Sequence, residues 1–274
     1  MLTFAVIGHN EVGTLANAIG QAAEAAEPGD RLWFVDSAST DGSAKLAASL
    51  GAEVVPAPLG KGTAMATAIA RCETGHVCFV DGDIEYSSSN IPLRLRESLA
   101  AEPADMLVAD FEWPNRRFLN SVPGVYRPLV GSLFPEALDR FGWMPFSGFR
   151  LLRTDLPLGS LPPGFGVETY LNLLCTVSGM RTRVVDVGVY RGPVRTKREL
   201  GREVGEVILD MAEQHGRLDG RLRPLWEAWL SEVMDVLRAQ PEPDGPEGDY
   251  PERLLAAASR PLPPSKLEQV PQAQ

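Results

Sequence analysis

Cysteine is scarce in this chain: Cys72, Cys78 and Cys175 are the only three in 274 residues. An odd number without close pairing argues against a disulfide framework and fits buried thiols in a reducing compartment. Histidine is equally scarce. His9, His76 and His215 are too scattered to suggest a histidine metal site or a Ser–His–Asp or Cys–His catalytic set. Long apolar runs are missing, and no window reaches the ~18 uninterrupted apolar residues of a membrane span. Positive charge is in the minority, with 26 Lys and Arg against 36 Asp and Glu and a net charge of −10. That balance speaks against the basic stripe of a nucleic-acid binder and against a polybasic membrane anchor. The opening MLTFAVIGHNE has no basic lead before its short apolar stretch, so no secretory signal is expected. These absences together lead us to expect a soluble cytoplasmic protein that engages neither nucleic acid nor membrane.

What is present is an alternation. Apolar strand-like runs at Leu2–Ile7, Leu32–Val35, Glu53–Pro56 and Val77–Val80 are separated by helix-like stretches at Thr14–Ala26, Asp41–Leu50 and Lys61–Cys72. Strand and helix in alternation imply an α/β domain with a parallel, doubly wound sheet. Ligands of such sheets bind at the carboxyl ends of the strands. The polar residues collect there: Asn10 and Glu11 after the first strand, Asp36 and Ser37 after the second, Asp81 and Asp83 after the fourth. Further helices are expected at Ile91–Leu99, Val167–Val177, Arg198–Gln214 and Arg221–Leu237, and further strands at Met106–Ala109, Phe149–Arg153 and Arg183–Val189. Residues 111 to 149 read as an irregular segment that covers a site. Residues 1–240 form the expected domain, with halves at 1–110 and 111–240. From Pro241 the chain turns proline-dense and reads as a flexible tail, with Leu254–Ala258 as a short docking helix.

The run HVCFVDGDIEY poses the sharpest chemical question. Two carboxylates one glycine apart repel each other unless a cation offsets them. Hard divalent ions such as Mg²⁺ or Mn²⁺ prefer carboxylate oxygens and commonly take one or two of them beside substrate phosphates. Gly82 lets a ligand approach the backbone. Asp-Gly-Asp is also ordinary turn chemistry, and its place at a strand exit favours the metal. The GKGT at Gly60–Thr63 fails the P-loop pattern, since Val55 stands where a glycine is required. As a turn at a helix start, its backbone N–H groups and Lys61 are candidates to meet a phosphate or ribose. In VDSASTDGS, Asp36 or Ser37 is placed to recognise a base or ribose. In FGVE, Glu168 either offsets a helix dipole or reaches a sugar hydroxyl. The basic run YRGPVRTKR, with Arg191, Arg195, Lys197 and Arg198, is a candidate anion clamp.

GHNEVGTL, VDSASTDGS, GKGTAMATAI, FVDGDIE and GFGVETYLN occur in this order, and the set resembles the GT-A glycosyltransferases that use nucleotide sugars. It is most similar to the glucosyl-3-phosphoglycerate synthase branch, and PFSGFRLLRTDL resembles that branch's acceptor-side segment. The likeness spans roughly residues 3 to 215. It implies a GT-A fold, with a mixed, mainly parallel sheet flanked by helices and followed by C-terminal helices. It implies transfer of a sugar from a UDP- or GDP-sugar to a small-molecule acceptor, with retention and with Mg²⁺ or Mn²⁺. By position, Glu11 and Ser37 would contact the nucleoside and Lys61 the ribose or diphosphate. Asp83 would ligate the metal, with Asp81 supporting it or contacting the nucleotide beside Gly82. Glu168 would hold the transferred sugar, and Arg191 or Arg195 would neutralise the leaving diphosphate. The branch places a metal-ligating histidine where this chain reads RGPVRTKREL, and a glutamate where it has Phe149, so the acceptor is not carried over. An inverting transferase acting on a polyprenyl phosphate, a nucleotidyltransferase and a non-catalytic binder are the rival readings. A homodimer through the C-terminal helices completes the expectations.

Overall fold

The computed structural model describes residues 1–114, 119–195, 197–242, 246 and 248–269. The chain divides into two compact units, one of Met1–Pro114 with Phe141–Pro193, the other of Asn115–Arg140 with Val194–Gln274. The division falls elsewhere than at the expected boundary of 110, because residues 141–193 join the first unit.

In chain order the elements are β1 (Leu2–Gly8), α1 (Leu15–Ala25), β2 (Arg31–Ser37), α2 (Ser43–Ser49), β3 (Glu53–Ala57), α3 (Lys61–Arg71), β4 (His76–Asp81), β5 (Tyr86–Ser87), α4 (Ile91–Ala101) and β6 (Met106–Glu112). They continue with α5 (Arg127–Leu133), β7 (Arg150–Arg153), α6 (Val167–Val177), β8 (Thr182–Arg191), α7 (Leu200–Gln214), α8 (Arg223–Arg238) and α9 (Tyr250–Ala258). All strands lie in the first unit, in the order β3-β2-β1-β4-β7-β6-β8-β5. The first four run parallel. β7 then enters antiparallel between β4 and β6, and β8 lies parallel to β6. The sheet is therefore mixed rather than wholly parallel, because the chain returns from residue 141 in the opposite sense. β8 has β6 as its strand neighbour along Thr182–Val189, and the two-residue β5 pairs with its end at Tyr190–Arg191.

β1 is buried along its whole length, as a central strand covered on both faces must be. α1 lays Leu15, Ala18, Ile19, Ala22 and Ala25 on the sheet, and its alanines allow close approach. Cys78 and Cys175 are fully buried packing residues, and burial pushes the Cys78 thiol well above its ordinary range. The register aligns Gly8 with Asp36 and Ile7 with Asp81, so the polar exits of β1, β2 and β4 fall at one edge.

The second unit is helical. A single π-helical turn, Val122–Tyr126, leads into α5, which packs with α7. α7 and α8 cross closely: a Cβ on Gly205 would come within 2.5 Å of Leu230. Pro224 lies in the first turn of α8, and a separate 3₁₀ turn, Gly220–Leu222, precedes it, capped by Asp219. The stretch read as a tail holds α9, nine residues long with Tyr250 and Leu254 buried. The prolines after it are tied down, with Trp226 Nε1 donating to the Pro264 carbonyl. Residues 243–245, 247 and 270–274 of that stretch, and 115–118 of the expected cover, lie outside the described residues.

Candidate active site

At the β1 exit Asn10 adopts a left-handed conformation (φ 57°), which an asparagine tolerates. Its Oδ1 accepts from Thr40 N at 2.7 Å, and its Nδ2 meets His9 Nε2 at 3.1 Å. Since the amide donates to Nε2, the His9 proton sits on Nδ1, which donates to the Ser37 carbonyl at 2.7 Å. At the β2 exit Asp36 accepts from Ser39 N, and Ala38 is held at φ 59°. Ser37 is buried, and its hydroxyl accepts from Gly60 N and donates to the Pro58 carbonyl. Ser37 thus couples β2 to the turn ahead of α3. Glu11 is buried, with its N–H bonded to Ser43, which Asp41 caps.

The Gly60–Thr63 turn behaves differently from its sequence reading. The N–H groups of Gly62 and Thr63 donate to the carbonyls of Gly164 and Pro163, so they are not available to a phosphate. A Cβ on Gly62 would collide with the Pro162 carbonyl, and Gly60 is held at φ 129°. The glycines serve to seat the start of α3 under the 162–164 loop. Lys61 is what the turn presents. Its Nζ lies 2.6 Å from Glu168 Oε1 and 2.8 Å from Asp81 Oδ1. Glu168 stands in the first turn of α6 and is buried. Burial disfavours the Lys61 charge, yet Asp81 and Glu168 outweigh it and hold the ammonium protonated well above the ordinary lysine range.

The two carboxylates of Asp81-Gly82-Asp83 diverge to different partners. Asp81 takes Lys61. Asp83 Oδ1 accepts from the Tyr190 hydroxyl at 3.1 Å. Gly82 fixes the turn between them, with its N–H on the Ile7 carbonyl and its carbonyl on the Thr14 hydroxyl. Burial first, then Asp83, Asp81 and Glu11, push the Tyr190 phenol far above its usual range. Of these, Asp83 is the carboxylate in hydrogen-bond contact with the hydroxyl.

Several site residues escaped the sequence. Gly148 backs onto the Lys61–Asp81 pair, where any Cβ would strike both charged groups. The fully buried Arg150 fixes the loop before it. Its guanidinium donates to the carbonyls of Ser147 (2.7 Å) and Pro145 (3.0 Å) and to Asn172 Oδ1 (2.7 Å). An arginine inside the apolar run FRLLR was the available signal. Tyr190 gave none, being one more aromatic in an alternating strand. The basic run spans both units. Arg191 belongs to the first unit, with its guanidinium 5.4 Å from the Tyr86 ring centroid, whereas Arg195, Lys197 and Arg198 belong to the second. Arg198 is paired with Glu242 there.

The sheet therefore carries Asp81 and Asp83 at the β4 exit, beside the polar ends of β1 and β2. Comparison with known proteins places this arrangement among glycosyltransferase-like chains. Residues 3–135 match the family model "Glycosyl transferase family 2". Glycosyltransferase AglJ of Haloferax volcanii is 28% identical over 216 residues, covering 74% of this chain and 68% of its own. Glucosyl-3-phosphoglycerate synthase of Mycobacterium tuberculosis, crystallised with Mg²⁺ and uridine diphosphate, superposes with a TM-score of 0.67 at 23% identity, covering 78% of this chain and 79% of that one. A second crystal structure of that enzyme, with Mn²⁺, uridine diphosphate and glucosyl-3-phosphoglycerate, gives 0.66 at 26% identity over 80% and 81%. Residues 3–135 are thus similar to family 2 glycosyltransferases, and the fold is that of the glucosyl-3-phosphoglycerate synthases. Among the described residues no helix is long and apolar enough to cross a membrane.

Proposed function

We propose that the protein transfers a sugar from a uridine diphosphate sugar to a small polar acceptor, assisted by Mg²⁺ or Mn²⁺ and with retention at the anomeric carbon. The observation that carries this reading is the charge arrangement at the β4 exit. Lys61 offsets Asp81 and Glu168, while Asp83 and Glu11 add further negative charge beside Tyr190. A hard divalent cation suits such a set. Among the described residues no three acidic, histidine or cysteine side chains form an ion cage by themselves. The remaining ligands of a bound cation would come from phosphates and water. Asp83, with Asp81, would hold it. When bound, the ion would stabilise charge on the departing diphosphate. The complexes of the mycobacterial enzyme with uridine diphosphate, its glucose ester and these ions support the donor class.

The chain's own residues do the rest. Lys61 keeps its proton at neutral pH, so it is a fixed charge and not a base. Glu168, immobilised by Lys61, accepts a hydrogen bond from a hydroxyl of the transferred sugar. Asn10, Glu11, Asp36 and Ser37 form the nucleoside side, and Arg191 faces the diphosphate. In the reaction the anomeric bond to the β-phosphate oxygen breaks and the acceptor oxygen bonds to the anomeric carbon on the same face. The acceptor's proton passes to the departing phosphate oxygen, so no enzyme nucleophile is required.

The test uses Asp83→Ala and Asp81→Ala with uridine diphosphate glucose and Mn²⁺, following release of uridine diphosphate. Turnover should fall by about a hundredfold or more, with little change in melting temperature for Asp83→Ala and a lower one for Asp81→Ala, which takes a partner from Lys61. Near-full turnover of either variant at saturating Mn²⁺ sinks the assignment. Wild-type protein that binds the donor but releases no nucleotide is a binder and not a transferase. The coupling constant of the product's anomeric proton reports retention or inversion.

A further inference from the structure

We infer that Tyr190 is a positioning residue for the metal-binding carboxylate: its hydroxyl, donated to Asp83 Oδ1, fixes the direction in which that carboxylate faces. This rests on the reading of Asp83 as a metal ligand. The backbone on either side of Asp83 is already held. Gly82 is fixed by Ile7 and Thr14, and Glu85 N donates to the Arg191 carbonyl. Tyr190 acts on the Asp83 side chain as well. Tyr190 Oη lies 3.1 Å from Oδ1 and 3.5 Å from the carbonyl of the same residue, so it spans the side chain and backbone of Asp83.

Tyr190 is itself immobile. Its ring packs on Phe111 (centroids 4.8 Å, tilted) and Phe149 (5.3 Å, edge-on), and those two rings meet each other at 5.9 Å. All three are buried. The hydroxyl projects from this apolar cluster toward the carboxylates. Gly192 completes the arrangement: a Cβ there would collide with Tyr190 Oη and come within 3.0 Å of the Asp83 carbonyl. Groups that orient a metal ligand typically alter metal affinity by about 10- to 100-fold when removed.

The experiment is calorimetric titration of Mn²⁺ into the full chain saturated with uridine diphosphate. It compares wild type, Tyr190→Phe, Gly192→Ala and Asp83→Asn, each checked by melting temperature. Tyr190→Phe keeps the three-ring cluster and removes only the hydroxyl. Gly192→Ala displaces the hydroxyl and leaves both side chains chemically intact. We expect each to weaken Mn²⁺ by about tenfold while uridine diphosphate binding in the presence of EDTA is unchanged. If both bind Mn²⁺ within twofold of wild type while Asp83→Asn loses it, Tyr190 is only packing and the inference is overturned. If Asp83→Asn also keeps wild-type affinity, the ligand reading itself fails and the inference falls with it.

Discussion

Lys61 is a cation with a carboxylate on each side and little water around it. Breaking a buried ion pair is costly because the partner's charge is left uncompensated. Lys61→Met should therefore destabilise the protein by about 3 kcal/mol, read as a lower urea midpoint at pH 8. The pH dependence has a definite sign. The folded pKa lies above the unfolded value of 10.5, so the contribution is fully present below 10.5 and is lost as pH rises through the folded value. The gap between wild type and Lys61→Met should hold constant from pH 7 to 9 and narrow only in strong alkali. A gap that closes near pH 8 would show that Lys61 is not held charged by Asp81 and Glu168.

At the scale of elements, single side chains lock secondary structures together. Arg96 on α4 reaches the end of α1 and the turn into β2, where its guanidinium meets the Ala25 carbonyl, Glu27 and Asp30. Asp30 in turn accepts from Leu2 N at the start of β1. Burial raises the Asp30 pKa, but Arg96 and the N–H groups of Glu27 and Leu2 together bring it below its ordinary 3.8. Stability from this carboxylate is thus present above pH 3.8 and disappears as pH falls through the lower folded value. Arg96→Met should cost about 2 kcal/mol at pH 7 and distinctly less at pH 2.5, measured by urea unfolding at both. An equal cost at the two pH values would mean that Arg96 acts mainly through its guanidinium over the Phe4 ring.

At the scale of the whole molecule, the proposed ligands should stabilise the folded state. Uridine diphosphate at 100 times its dissociation constant adds about 2.7 kcal/mol, on the order of 6 °C in melting temperature for a chain of this size. The rise should be larger with Mn²⁺ than with EDTA, since the ion adds its own contacts to the bound diphosphate. A rise of equal size in EDTA would separate nucleotide binding from the metal. A guanosine diphosphate sugar giving the larger shift would correct the donor.

The strands and helices up to residue 110 were legible because each carries its own period. The polar residues that end β1, β2 and β4 were legible because a buried strand must turn polar where it leaves the core. Asp81 and Asp83 could thus be named from a strand exit, and Lys61 and Glu168 from motifs at helix starts, their roles coming from the family resemblance. Their pairing could not. Lys61 meets Glu168 only because the loop at 162–164 seats on the Gly60 turn, a contact a hundred residues apart that no local pattern encodes. Gly148, Arg150 and Tyr190 depend on β7 entering between β4 and β6 and on β8 lying beside β6, and strand neighbours of that kind are chosen by the packing of the whole sheet. The sequence therefore determined which groups stand at the strand ends. Only the tertiary structure decided which carboxylate each cation and hydroxyl would face, since hydrogen bonds and ion pairs act over a few ångströms in space and are indifferent to distance along the chain.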